Sequence, residues 1–348
     1  MTKQKFIPQP DTGRLSREDA IRYFSVFGFA SFALGLINFA AQFLIVNLVY
    51  RFLPAVYHWP LFSSVTVIMT LYGFGLPVFY WILKKLPKIR PVREKQSFGF
   101  LISGLCICFG CVSAGSTVSN YLLFFFENLL GRDVLNPVET SAASMPIWGT
   151  LLFSVILAPI MEELVFRKLL CDRLLPLGEA YAVILSASLF SLVHGNFYQI
   201  FYAFLIGVCL GYIYVKSGKI SYTIGFHMAI NLVFGFLPIL MQRFLDMDGL
   251  TAIMDQMAEG EMMTEQMVEF MNANLLPMLF AAGLSLLQYG GVIAGTVLLI
   301  VFAVKKKFSF EEGILPPPAD ARVSPIFLNG GVALAIAVFT FLMIYSLL

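Results

Sequence analysis

Charge is scarce in this chain. Of its 348 residues only 13% are Asp, Glu, Lys or Arg, whereas 59% are hydrophobic. A soluble domain carries about 25% charged residues, so the composition excludes a water-exposed globular protein. The net charge of +2 offers no polycationic surface for nucleic acid. There are only three histidines, and the five cysteines form no disulfide framework. Cys106, Cys108 and Cys111 lie beside Gly104, Gly110 and Gly115 in one apolar span, and they read as small residues for close helix packing rather than as a metal or redox cluster. No sequence repeat relates the two halves, which argues against a transporter built on inverted repeats. The N-terminal stretch is polar as far as Arg22, and the first apolar span is too long for the core of a cleaved signal.

What the chain has is long apolar runs. A bilayer-spanning helix needs about 20 such residues. Candidate spans fall at 23–50, 61–83, 98–126, 146–170, 179–196, 198–215, 220–241, 278–304 and 326–348. The expected fold is therefore all-α, a polytopic membrane bundle of about nine helices, eight being the alternative. With nine spans and a cytoplasmic N-terminus, 20 Lys/Arg fall on the inside and 3 outside (Arg51, Arg132, Arg243). That split follows the positive-inside rule and predicts an integral protein of the cell membrane. The chain divides into a cytoplasmic segment (1–22), N-terminal helices (23–145), a polar-residue-bearing core (146–241), an acidic Met-rich external segment (242–277) and C-terminal helices with a Pro-rich cytoplasmic loop (278–348). The external segment carries seven acids and a pattern of apolar positions that includes Ile253, Met257, Met262, Met263, Met267 and Phe270. It reads either as a lid or substrate platform or as an amphipathic helix lying on the bundle.

Strongly polar side chains inside the spans concentrate between 147 and 232. Glu162 and Glu163 are adjacent in an apolar run, where each ionisable group costs at least ~2.5 kcal/mol. Residues four apart share a helix face, so Glu163 faces Arg167. Glu162 points about 100° away and is left free. Pro159, just ahead, removes a backbone donor, and reads either as a kink ahead of the acids or as a proline of the kind that membrane helices ordinarily tolerate. His194 follows an apolar stretch beginning at Phe190. His227 and Asn231 share a face. The third histidine, His58, sits in an aromatic-belt setting at a span end and carries no chemistry. By residue count Glu162 and Asn231 lie roughly 16–18 Å from the cytoplasmic side. The same count puts His194 further outward, which a later helix start after Pro176 and Gly178 would correct.

A carboxylate in a low-dielectric site is a competent general base. A histidine beside it can hold a water, and a His and an Asn can donate to a developing oxyanion. Glu162 with His194, and His227 with Asn231, thus supply the parts for amide hydrolysis. Glu and His are also zinc ligands, so Glu162, His194 and His227 form an alternative metal set, although no HExxH is present.

These groups resemble the membrane-embedded family of CAAX proteases and bacteriocin-processing enzymes, known as CPBP or Abi proteins. The family carries E-E-x-x-x-R, F-x-x-x-H and H-x-x-x-N on successive transmembrane helices. Here they are Glu162-Glu163 to Arg167, Phe190 to His194 and His227 to Asn231, in order, with a leading Ala158-Pro159. The glycine-containing stretch between the last two motifs matches Gly207, Gly211 and Gly218. Lys168 stands where the family often has Gly. The resemblance covers about a quarter of the chain. It implies a glutamate-dependent intramembrane endopeptidase in which Glu162 activates water and Glu163 pairs with Arg167. His194 then assists the water, and His227 and Asn231 form the oxyanion hole. No cofactor is required on that mechanism. The family has also been described as metalloproteases, which keeps zinc open. The implied partner is a peptide or a lipidated or membrane-protein tail in the bilayer, and oligomeric state is not legible. Competing readings are a non-catalytic scaffold or immunity protein of the same fold, and a proton-coupled transporter with Glu162 and His194 as relay. Ala203, Gly207 and Gly211 form a small-residue stripe that lets helices approach closely.

Overall fold

The computed structural model describes residues 13–134, 136–138, 140, 145–260, 264–327 and 329–347. Among them the chain is helical, with no strand and one isolated bridge between Gly178 and Glu312. The main helices are α1 (Arg17–Phe52), α2 (Phe62–Leu83), α3 (Phe98–Leu130), α4 (Ile147–Leu177), α5 (Glu179–Val193), α6 (Ile200–Ser217) and α7 (Ile220–Gln242). Then come α8 (Met247–Ala258), α9 (Glu265–Ala273), α10 (Leu275–Val304) and α11 (Gly330–Tyr345). Seven of them, α1–α4, α6, α7 and α10, are long and apolar enough to cross a membrane. The apolar helices α5 and α11 are shorter, at 15 and 16 residues. The protein is a multi-pass membrane protein. Its outer faces carry exposed Leu44, Leu48, Phe124, Leu286 and Ile293, as lipid contact requires.

Small residues set the helix contacts. A Cβ on Gly207 would lie 2.9 Å from the Ala187 backbone and 3.2 Å from the Phe190 ring, so only glycine lets α6 approach α5 this closely. The cysteine-bearing stretch of α3 packs in the same way on α6 and α10, with Cys111 Sγ 3.4 Å from Cys209 Sγ. No three His, Cys, Asp or Glu side chains among the described residues form a metal-holding group.

One end of the bundle is laced together by polar contacts. The segment after α2 runs across the ends of α4 and α6, with Ile89 N–H donating to Asp172 O (2.7 Å) and Glu94 N–H to Ser217 O (2.9 Å). The segment after α10 joins it: Leu315 N–H bonds Pro176 O, and Leu15 N–H bonds Pro316 O. Arg173 is buried here. Its Nε donates to Leu83 O (3.1 Å), Tyr23 donates to its carbonyl, and Tyr214 donates to the neighbouring Asp172 (2.7 Å). Arg167 and Arg173, which the sequence tally places among inside-loop cations, are thus interior residues, because α4 continues to Leu177.

In the acidic segment α8 and α9 form a short helical pair. No residue of α8 is buried and Met267 of α9 is. Glu261, Met262 and Met263, and residues 1–12 of the N-terminal segment, lie outside the described residues.

Candidate active site

Backbone irregularity prepares the site. Within α4 two wide, π-type stretches, Leu151–Leu157 and Leu164–Cys171, flank Ala158–Glu163. In the first stretch the rungs join residues five apart: Ala158 N–H bonds Phe153 O. The next rung would run from residue 159 to Ser154 O, but Pro159 has no N–H. Asn231 Nδ2 takes that carbonyl instead, at 2.9 Å. The pattern recurs in α7. Leu237 N–H bonds Leu232 O, Pro238 leaves the next carbonyl open, and Gln288 Nε2 from α10 donates to Val233 O at 2.8 Å. Wide turns are over-represented at functional sites, and here two of them flank the acids and a third begins at Asn231.

Glu163 and Arg167 are both fully buried. Nε and Oε2 approach to 2.9 Å without hydrogen-bond alignment, and the aligned bond runs from Nη2 to Oε1 at 3.3 Å. Arg167 Nη1 donates to Ser186 Oγ (3.1 Å), which donates onward to Phe166 O (2.8 Å). The guanidinium lies 5.4 Å from the Phe190 ring centre.

His227 joins the two glutamates. Its Nδ1 lies 3.1 Å from Glu163 Oε1, and its Nε2 lies 3.6 Å from Glu162 Oε2. Glu162 differs from its neighbour in access: its side chain is 19% exposed and lines a cavity, whereas Glu163 is sealed.

His194 reaches the same level by symmetry of the α4–α5 hairpin. Glu162 and His194 each lie 16 residues from Gly178, on opposite arms. Gly178 has φ +131°, a conformation that favours glycine, and α5 starts directly after it at Glu179. His194 Nδ1 is 2.8 Å from Phe190 O. A carbonyl only accepts, so Nδ1 is the donor in this contact. Phe190 stacks edge-on against both His194 (5.2 Å) and His227 (5.7 Å).

Glu162, His194, His227 and Asn231 all line one cavity of about 1120 Å³, together with Tyr72 and Tyr202. Residues 144–233 match the family model described as Type II CAAX prenyl endopeptidase Rce1-like. Over this stretch the chain is similar to the CAAX-protease family. No curated protein and no solved structure matches the chain.

The matched stretch spans all six polar residues singled out above, from Glu162 to Asn231. Its arrangement bears on zinc. His227 Nδ1 is engaged by Glu163, and Glu162, His194 and His227 do not converge as a metal-holding group among the described residues. Sequence reasoning missed three participants in the domain: Ser154 as acceptor for Asn231, Ser186 as second partner of Arg167, and Phe190 as the shared wall of both histidines. Pro159 signals the first, since a proline always orphans one helix carbonyl. Ser186 carries no signal beyond being a hydroxyl on an apolar helix.

Proposed function

We propose that the protein is a glutamate-dependent intramembrane endopeptidase, cutting a peptide or the tail of a membrane-associated protein. The observation that carries this reading is the difference between the adjacent acids. Glu163 is neutralised by Arg167 and holds His227, while Glu162 faces the cavity.

In the proposed reaction Glu162 takes a proton from a water that also donates to His194 Nε2. The hydroxide attacks the scissile carbonyl. Charge developing on the carbonyl oxygen is met by His227 Nε2–H and by the second N–H of Asn231, its first being held by Ser154 O. Glu162 then passes its proton to the leaving amine, so no net charge is left in the site. The mechanism needs no metal. Comparative proteomics of membrane peptides between wild-type and Glu162→Gln cells tests the reading. Peptides that accumulate uncut in the variant support it, and identical peptide sets contradict it.

A further inference from the structure

The catalytic cavity has a direction. Its rim is built from Asn47 near the end of α1, Ser63 at the start of α2, Met145 just before α4, and Ser346 just after α11. All four belong to the same end of the bundle. Ser64 Oγ contacts Met145 Sδ (3.0 Å), and Arg243 Nη2 at the end of α7 donates to Met145 O (2.6 Å). Towards the other end the cavity is closed below Glu162. Arg167 and Leu170 are fully buried, and the Arg173 cluster with Tyr23 and Leu83 follows.

The closed end is the basic one. It holds Arg14, the run from Lys84 to Lys95, Lys216, Lys219, Lys305–Lys307 and Arg322. Leaving out the buried Arg167 and Arg173, and Lys3 and Lys5, which lie outside the described residues, 16 of the 20 inside cations remain, against 3 at the rim end. A bias of that size puts the basic end in the cytoplasm.

We infer that the catalytic cavity opens on the non-cytoplasmic face of the membrane and takes a polypeptide segment presented there, the exported tail of a membrane-inserted chain. Glu162 lies 15 residues into α4 from the rim end, so the segment must enter extended to bring a bond to the carboxylate. The identity of the occupant as substrate rests on the protease reading; the sidedness of the cavity does not.

Two measurements on the full chain separate these. Single cysteines are introduced at Ser63→Cys and Ser346→Cys on the rim and at Lys88→Cys on the basic end. A membrane-impermeant maleimide is then applied to intact cells and to lysed membranes, with the parent chain as background. The rim variants are expected to label in intact cells, and Lys88→Cys only after lysis. Rim cysteines that label only after lysis, or never, overturn the inference. In the second measurement, cut sites lost in Glu162→Gln cells are mapped onto the topology of the cut proteins. Sites in non-cytoplasmic segments support the inference, and sites in cytoplasmic tails overturn it while leaving the protease reading intact. If rim labelling is as expected and no cut site depends on Glu162, the protease reading fails and the sidedness stands.

Discussion

Asn231 is bonded to the carbonyl of Ser154 at 2.9 Å, and that carbonyl is free because Pro159, five residues on, has no N–H to offer. A proline in α4 thereby fixes the orientation of a carboxamide on α7. The Pro159→Ala variant returns an N–H that competes for Ser154 O. Activity is expected to fall about 5- to 30-fold, corresponding to ~1–2 kcal/mol of misplaced hydrogen bonding, without loss of thermal stability. Full activity in Pro159→Ala would remove the proline from the account.

The equivalent contact away from the cavity isolates the structural part of the effect. Gln288 donates to Val233 O beside Pro238. Gln288→Leu leaves a carbonyl unpaired and is expected to lower stability by about 1–3 kcal/mol, read as a drop in melting temperature in detergent. An unchanged melting curve would mean that the orphaned carbonyl finds another partner.

Glu163 and Arg167 form a fully buried pair. Removing either partner leaves an uncompensated charge, so Glu163→Ala and Arg167→Ala are each expected to destabilise the fold by about 3–5 kcal/mol. The double variant should lose less than the two single losses together, because neither charge is then stranded. Thermal unfolding of the three purified variants checks this, and additive losses would contradict the coupling.

Zinc-dependent catalysis predicts reversible inhibition by strong chelators. Water activation by Glu162 and His194 predicts that activity survives exhaustive chelation and that added zinc does not raise it. Turnover of a fixed peptide before and after chelator treatment distinguishes them.

Much of the site is legible in the sequence. The spacing of Glu163 and Arg167 foretells their contact, since residues four apart on a helix meet. The small-residue stripe likewise foretells the close approach of α6, and Gly207 does lie against Ala187. Other relationships depend on neighbours that a single-helix argument does not contain. Nothing in the spacing of His227 indicates that its Nδ1 is held by Glu163 on another helix. Residue counting places His194 too far outward, because it ends the preceding helix near residue 170, whereas α4 runs on to Leu177 and sets Glu162 and His194 at equal counts from Gly178. The charge tally counts Arg167 and Arg173 with the inside cations, because cations near the end of an apolar run are assigned to the adjoining loop, whereas both side chains are buried. Pro159 and Pro238 each follow a wide turn closely, whereas no proline directly follows the one at Leu164–Cys171.

Two adjacent carboxylates with different tasks are the centre of this account. The most direct measurement compares cleavage by purified Glu162→Gln and Glu163→Gln, each checked for folding by thermal unfolding. Glu162→Gln is expected to remain as stable as the wild type and to lose about 100- to 10,000-fold in turnover, the range for loss of a general base. Glu163→Gln is expected to lose stability first. A folded Glu162→Gln enzyme that still cleaves at the wild-type rate would contradict the assignment.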